Sequence, residues 1–179
     1  MKPRVHQILK AAGLVDGSFY TDFARDRGAA VHAACALDDL GDLVESTVHP
    51  EVAPYLRSWR LGRQHFGWKF QRGDVELSVE TASYTGHPDK VLRSPDRKFV
   101  TDVIDLKAGQ PERWHSIQLA FYAMAFLPAQ SVYPARLGVY LAKDGGMPNL
   151  VRYTDPEDFR VAKAALTVAA WITQGDWKS

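Results

Sequence analysis

The run Val100-Thr-Asp-Val-Ile-Asp-Leu-Lys107, closed by Ala108-Gly109, constrains the fold of this chain more than any other segment. Alternation along a strand places Asp105 and Lys107 on one face with Val103, and turns Ile104 and Leu106 to the opposite face, into a core. A carboxylate and an ammonium then project together from a strand end. That pairing suits metal-assisted hydrolysis: the carboxylate holds a divalent cation, while the lysine orients or deprotonates a water and stabilises developing negative charge. Taken alone, the pair reads as a surface cross-strand ion pair.

Its neighbours change that reading. Tyr84-Thr-Gly-His-Pro-Asp89 leads into Lys90-Val-Leu-Arg93, Ser94-Pro-Asp-Arg97 makes a turn, and Lys98 to Lys107 runs back, giving a hairpin with an acid on each arm. Gly86 and Pro88 limit ladder pairing and let the backbone bend, so that Asp89 turns toward the end of the neighbouring strand. Downstream, Glu112 to Phe126 has helical periodicity, with Gln118 and Tyr122 four residues apart on one face. Upstream, Arg27-Gly-Ala-Ala-Val-His32 opens a second helical run that continues to Leu40. A histidine in such a run is ordinarily a satisfied or solvent-tipped residue.

In chain order, Gly28 with His32, Glu76, Gly86 with Asp89, Asp105 with Lys107 and Gly109, and Gln118 with Tyr122 form an ordered set. The set resembles the PD-(D/E)XK nuclease superfamily, and within it the RecB-like branch and the small stand-alone phage-type exonucleases. The resemblance spans about residues 25 to 125 at motif level. It implies a restriction-endonuclease-like α/β core with a central mixed β-sheet flanked by helices. It also implies a Mg²⁺ or Mn²⁺ site with His32, Asp89, Asp105 and the backbone carbonyl of Leu106 as ligands. Lys107 would be the water-positioning or general-base residue, with Gln118 and Tyr122 orienting the scissile phosphate or its neighbours. Glu76 is the accessory acid by its place in the set, and Glu80, on the same strand face, is its rival. The implied activity is metal-dependent hydrolysis of DNA phosphodiesters, with an exonuclease acting on DNA ends in phage-type recombination, replication or repair as the leading form. A catalytically inactive DNA-binding module of the same fold and a structure-specific endonuclease are the alternatives. DNA is the implied partner, with a homo-oligomer or a recombination or replication protein as a possible second one.

The donor set favours magnesium or manganese over zinc. Carboxylates and carbonyls are hard oxygen donors, and one imidazole shifts the preference toward manganese. The six histidines, His6, His32, His49, His65, His87 and His115, contain no close pair with zinc-like spacing, and Cys35 is the only cysteine. A single cysteine also excludes an iron-sulfur cluster built by this chain alone and points to a reducing compartment. His87 and His115 lie near motif residues and are candidates for phosphate contact, as are Arg93 and Trp114 for nucleic acid. The basic residues Lys90, Arg93, Arg97 and Lys98 surround the hairpin turn, and Arg57, Arg60 and Arg63 recur on one helical face that reads as solvated.

The 179 residues, 46% apolar and 24% charged, suit one globular domain, and the net charge of +1 leaves nucleic-acid binding to a local cleft. No secretory signal or membrane-length run is visible, so a cytoplasmic location is expected. The expected elements begin with a strand or turn at Pro3 to Leu9 and helices at Ala29 to Leu40 and Pro54 to Trp68. Strands follow at Asp74 to Tyr84, Asp89 to Arg93 and Phe99 to Lys107. The Glu112 to Phe126 helix comes next, then strands at Ala135 to Leu141 and Leu150 to Tyr153, joined by a hairpin. A last helix is capped by Asp155 and carries an inward stripe of Phe159, Ala162, Leu166, Ala169 and Ile172. Trp59, Trp68, Trp171 and Trp177 read as packing residues.

Overall fold

A computed structural model describes residues 2–15 and 21–174, so Trp177 lies outside the described residues. Helix α1 (Val5–Ala11) is followed by α2 (Asp22–Leu40) and α3 (Ala53–Phe66). A two-stranded ribbon, β1 (Val79–Glu80) and β2 (Thr85–Gly86), precedes a four-stranded sheet of β3 (Lys90–Arg93), β4 (Val100–Lys107), β5 (Ala135–Tyr140) and β6 (Asn149–Tyr153). Helix α4 (Arg113–Met124) connects β4 to β5, and α5 (Glu157–Gln174) closes the described chain. The sheet order follows the sequence. β3–β4 and β5–β6 pair antiparallel, and β4–β5 pairs parallel because α4 carries the chain back across the sheet.

The sheet is mixed and flanked by helices on both faces, as expected of an α/β fold. One face of β4 presents Val103 to a core shared with α1, α4 and α5, and the other presents Ile104 and Leu106 to a core shared with α2 and α3. Because both faces are covered, Val103, Ile104 and Leu106 are fully buried, and the charge pair Asp105 and Lys107 interrupts that apolar run at its end.

Three expected elements differ. Pro3 to Leu9 contains a helix, because Val5, Ile8 and Leu9 fall on one helical stripe and are buried together. The expected strand Asp74 to Tyr84 shrinks to Val79–Glu80. Asp74 ends a 3-10 turn, Val75 makes a single bridge to Lys90, and Glu76 takes a left-handed conformation with φ of 50°. Helix α2 begins two turns earlier than expected, capped by the Thr21 side chain accepting from the Ala24 N–H. On α5, Ala162 and Ala169 are buried, but Ile172 is exposed, as is Trp171, so the inward stripe ends before them.

The hairpin bends at Gly86 for a reason the sequence did not show. A Cβ there would lie 2.8 Å from Tyr122 Cε1 and 3.2 Å from Val5 Cγ2, so β2 packs its backbone directly on α4 and α1. Gly86→Ala is therefore expected to cost about 1–3 kcal/mol through overpacking. Equilibrium urea unfolding of the variant checks this, and an unchanged midpoint would contradict it.

Candidate metal and hydrolytic site

The functional side chains gather where β3 begins and β4 ends. β3 pairs with β4 only as far as Lys90 opposite Ile104, so the Leu106 N–H has no ladder partner from β3. The Asp89 side chain takes that place, its Oδ2 accepting from the Leu106 N–H at 2.6 Å. A strand residue directs its N–H and C=O to the same side. The Leu106 carbonyl thus faces the same edge as Asp89, while the next carbonyl, that of Lys107, turns the other way and accepts from the Leu141 N–H.

The other Asp89 oxygen, Oδ1, lies 2.9 Å from Nδ1 of His32. Asp89 is 6% exposed, and burial acts first to raise its carboxyl pKa. The His32 ring, Lys107 and the Leu106 N–H outweigh burial and hold the carboxyl below its ordinary value. His32 is correspondingly raised, by the Asp89 carboxylate first, against the opposing effect of burial.

Glu76 completes the group. His32, Glu76 and Asp89 each offer a ligand atom, and these atoms lie within 4.8 Å of one another. The left-handed backbone at Glu76 is held by its N–H donating to the Asp89 carbonyl at 2.8 Å, an unfavourable conformation of the kind that collects at functional sites. Its carboxyl titrates above the ordinary range, first through desolvation at the rim and next through the nearby Asp89 carboxylate. Glu80 instead pairs with Lys2 at 2.7 Å on the exposed face of β1. Of the two glutamates, Glu76 is the one grouped with His32 and Asp89 among the described residues.

Asp105 departs from the ligand set expected of it. It is not a member of the His32, Glu76, Asp89 group, because Lys107 Nζ draws its Oδ2 to 2.5 Å. That contact lacks hydrogen-bond direction and leaves Oδ2 buried with no donor aimed at it. Burial pushes the Asp105 carboxyl up, Lys107 pulls it down, and Asp89 adds to the rise, with a net upward shift. Lys107 also donates to Gln118 Oε1 at 2.9 Å, and Gln118 Nε2 donates to the Tyr122 hydroxyl at 3.0 Å. The chain Asp105, Lys107, Gln118, Tyr122 runs from β4 into α4, and burial followed by the Asp105 and Asp89 carboxylates keeps the Tyr122 phenol neutral.

The donor set fits a hard divalent cation. Two carboxyl groups and an imidazole converge, the Leu106 carbonyl faces the same strand edge, and beside them, among the described residues, a buried Asp105 oxygen has no directed donor. Oxygen-rich coordination with one nitrogen suits Mn²⁺ or Mg²⁺.

The residues expected to touch nucleic acid divide. Trp114 lines a cleft of about 1060 Å³ above the site, with His32, Lys107 and Gln118 at its floor. Its ring lies 5.1 Å from Lys107 Nζ. His115 also borders the cleft but is 3% exposed, with Nδ1 accepting from the Glu112 N–H and lying 2.8 Å from the Tyr140 hydroxyl. Burial, aided by Lys107, lowers its pKa to about 3, so its ring is neutral and already engaged by Glu112 and Tyr140. Arg93 is committed elsewhere: it and Arg97 both donate to the buried Asp74 carboxylate. His87 is exposed outside the walls of the cleft. Lys90, one of the basic residues around the hairpin turn, is fully buried and pairs with Asp39 at 3.1 Å. Arg60 and Arg63 of α3 are likewise bound to Asp38, Asp39 and Glu45.

The sequence reading missed the cationic walls of the cleft, His6 and Lys10 from α1 and Arg25 and Arg27 from α2. It also missed Asp39. A signal was present, since Arg25, His32 and Asp39 recur at seven-residue spacing and share one face of α2.

No family model matches the chain, and no curated protein shows significant sequence similarity to it. Among the described residues, no helix is long and apolar enough to cross a membrane.

Proposed function

We propose that this chain is a metal-dependent nuclease that hydrolyses DNA phosphodiester bonds, with exonuclease action at DNA ends as the leading form and Mg²⁺ or Mn²⁺ as cofactor. The observation that carries the reading is the meeting of the His32, Glu76, Asp89 group with the Asp105, Lys107, Gln118, Tyr122 chain beside one cleft, which His32, Lys107 and Gln118 line. His32, Glu76 and Asp89 would hold the cation, with the Leu106 carbonyl and Asp105 beside them. When bound, a divalent cation neutralises charge on the phosphoryl oxygens and eases attack by water.

The chain's own residues supply the rest. An ammonium has three donors; Lys107 gives one to Gln118 and lies in ionic contact with Asp105, which leaves donors for a phosphoryl oxygen or the attacking water. Gln118, fixed in turn by Tyr122, keeps Lys107 from swinging into the cleft. His32 and Asp89 hold each other in place before any ligand arrives, which lowers the reorganisation needed at the moment of reaction.

The test is incubation with labelled linear and circular DNA, with and without Mg²⁺ or Mn²⁺. Metal-dependent degradation is expected, and Lys107→Ala is expected to slow it by about 10²–10³-fold, with Asp105→Ala at least as severe. Tight DNA binding with no cutting in either metal would instead favour a binding module of the same fold.

A further inference from the structure

The cleft above the site is cationic well beyond the residues that chemistry requires. Its walls carry His6 and Lys10 on one side and Arg25 and Arg27 on the other. Arg25 is bound to Asp22 on its own helix, whereas Lys10 and Arg27 have no carboxylate partner among the described residues. The carboxylate on the rim, Glu112, accepts from the indole N–H of Trp114. Arg27 is held in place by the rings of Phe23 and Tyr55, 5.6 and 5.7 Å from its guanidinium carbon, and its Nε is buried without an acceptor. A guanidinium held by aromatic packing beside a cleft is suited to an anionic oxygen. His6 reports the same field: after burial, Lys10 and Lys107 are what hold its pKa down.

The shape narrows the ligand further. The volume of about 1060 Å³ is at the top of the range for small-molecule pockets, about 300–1,000 Å³, and so exceeds what one nucleotide fills. Asp89 and Asp105 are at least nine-tenths buried behind His32 and Lys107, which line the cleft, so a reacting phosphate approaches them past those two residues. A duplex keeps its bases stacked and paired between two backbones, whereas a single strand can bend into a concavity and turn a base out onto an aromatic ring. Trp114 offers that ring in the same cleft that Arg27 lines. Gly28, one turn before His32, lines the cleft beside open space, since a Cβ there would meet nothing within 4 Å.

We propose that the cleft is a track for a single strand of DNA, whose phosphates flanking the reacting one are bound by Lys10 and Arg27 and one of whose bases stacks on Trp114. This rests on the nuclease reading above and specifies its substrate. The experiment measures anisotropy of a labelled single-stranded oligothymidylate, and of a duplex of equal length, with the full chain in EDTA, where cutting plays no part. Lys10→Ala and Arg27→Ala are each expected to weaken single-strand binding about five- to tenfold and to reduce the slope of log K against log salt by about 0.7. Trp114→Ala is expected to weaken it about tenfold. Gly28→Glu, which fills open space with negative charge and leaves the packing untouched, is expected to abolish it, while Lys163→Ala on the outer face of α5 leaves it unchanged. Equal or tighter binding of the duplex, or single-strand binding that these cleft variants leave intact, overturns the track. Because cleavage with metal is scored separately, a chain that cuts DNA but ignores the cleft substitutions fails this inference alone. One that never cuts fails the nuclease reading instead.

Discussion

Asp89→Asn is expected to leave the chain folded and to eliminate its metal-dependent cleavage, with a loss of at least about 10³-fold. The amide is isosteric and can satisfy both neighbours: its oxygen still accepts from the Leu106 N–H, and its NH₂ donates to a neutral His32 Nδ1 in place of the existing contact. What disappears is one charge at the centre of the His32, Glu76, Asp89 group. Manganese affinity, read by isothermal titration calorimetry, is expected to fall at least about a hundredfold. Unchanged affinity would show that the cation binds elsewhere.

The same substitution has a pH signature. In the wild type the Asp89 carboxylate holds His32 above its ordinary value of 6.5, against burial. With the charge removed, burial is left unopposed by its main counterweight, so the His32 midpoint in Asp89→Asn, followed by NMR, is expected to drop below 6.5. In the metal-free wild type the ion pair's contribution to stability is fully present below pH 6.5 and is lost as pH rises through the raised His32 value. On the acid side, Asp89 is depressed below 3.8 by His32, Lys107 and the Leu106 N–H despite burial, so the contribution is present above 3.8 and lost as pH falls through the depressed value. Metal binding has the opposite slope across the alkaline edge. His32 must lose its proton to become a ligand, so cation affinity is expected to climb as pH passes the His32 midpoint.

Local periodicity carried the elements on which this site is built. The β4 strand and the α4 helix were legible because their apolar spacing is set within one element, and Gln118 and Tyr122 followed from the four-residue turn. Elements whose conformation depends on distant partners were not. Asp74 to Tyr84 alternates like a strand, yet Asp74 binds Arg93 and Arg97 from the next hairpin and Glu76 bonds to the Asp89 backbone, so the segment cannot extend. Pro3 to Leu9 read as a strand or turn because helix α1 is only seven residues long, too short for propensity to decide without its packing on α4 and α5. The cationic cleft walls arise because that packing brings His6 and Lys10 opposite Arg27. No rule of spacing joins residues of α1 to those of α2.

Lys90 is the sharpest case, because a lysine in a short hairpin arm is ordinarily solvent-exposed. Here it is fully buried, 3.1 Å from Asp39 Oδ2 and 5.9 Å from the Trp59 ring, and Asp39 is itself buried while accepting from Trp59 Nε1 at 2.9 Å and Arg63 Nη1 at 2.5 Å. Asp39 stands two turns beyond His32 on the same face of α2, and Lys90 follows Asp89 directly, so the two pairs join α2 to the start of β3 at successive points. Removing one partner leaves the other as an uncompensated charge in a core. Asp39→Ala is therefore expected to cost about 3–5 kcal/mol, which at a urea dependence of about 2 kcal/mol per molar lowers the unfolding midpoint by roughly 2 M. Replacing both partners with apolar side chains, Asp39→Leu with Lys90→Met, removes the stranded charge along with the pair and is expected to recover most of that loss. A double variant as unstable as Asp39→Ala alone would place the cost in the lost Trp59 and Arg63 hydrogen bonds rather than in the buried ammonium. If recovery occurs but metal affinity stays low, Asp39 and Lys90 act as positioning residues that set the approach of His32 to Asp89, a role that stability measurements by themselves would not reveal.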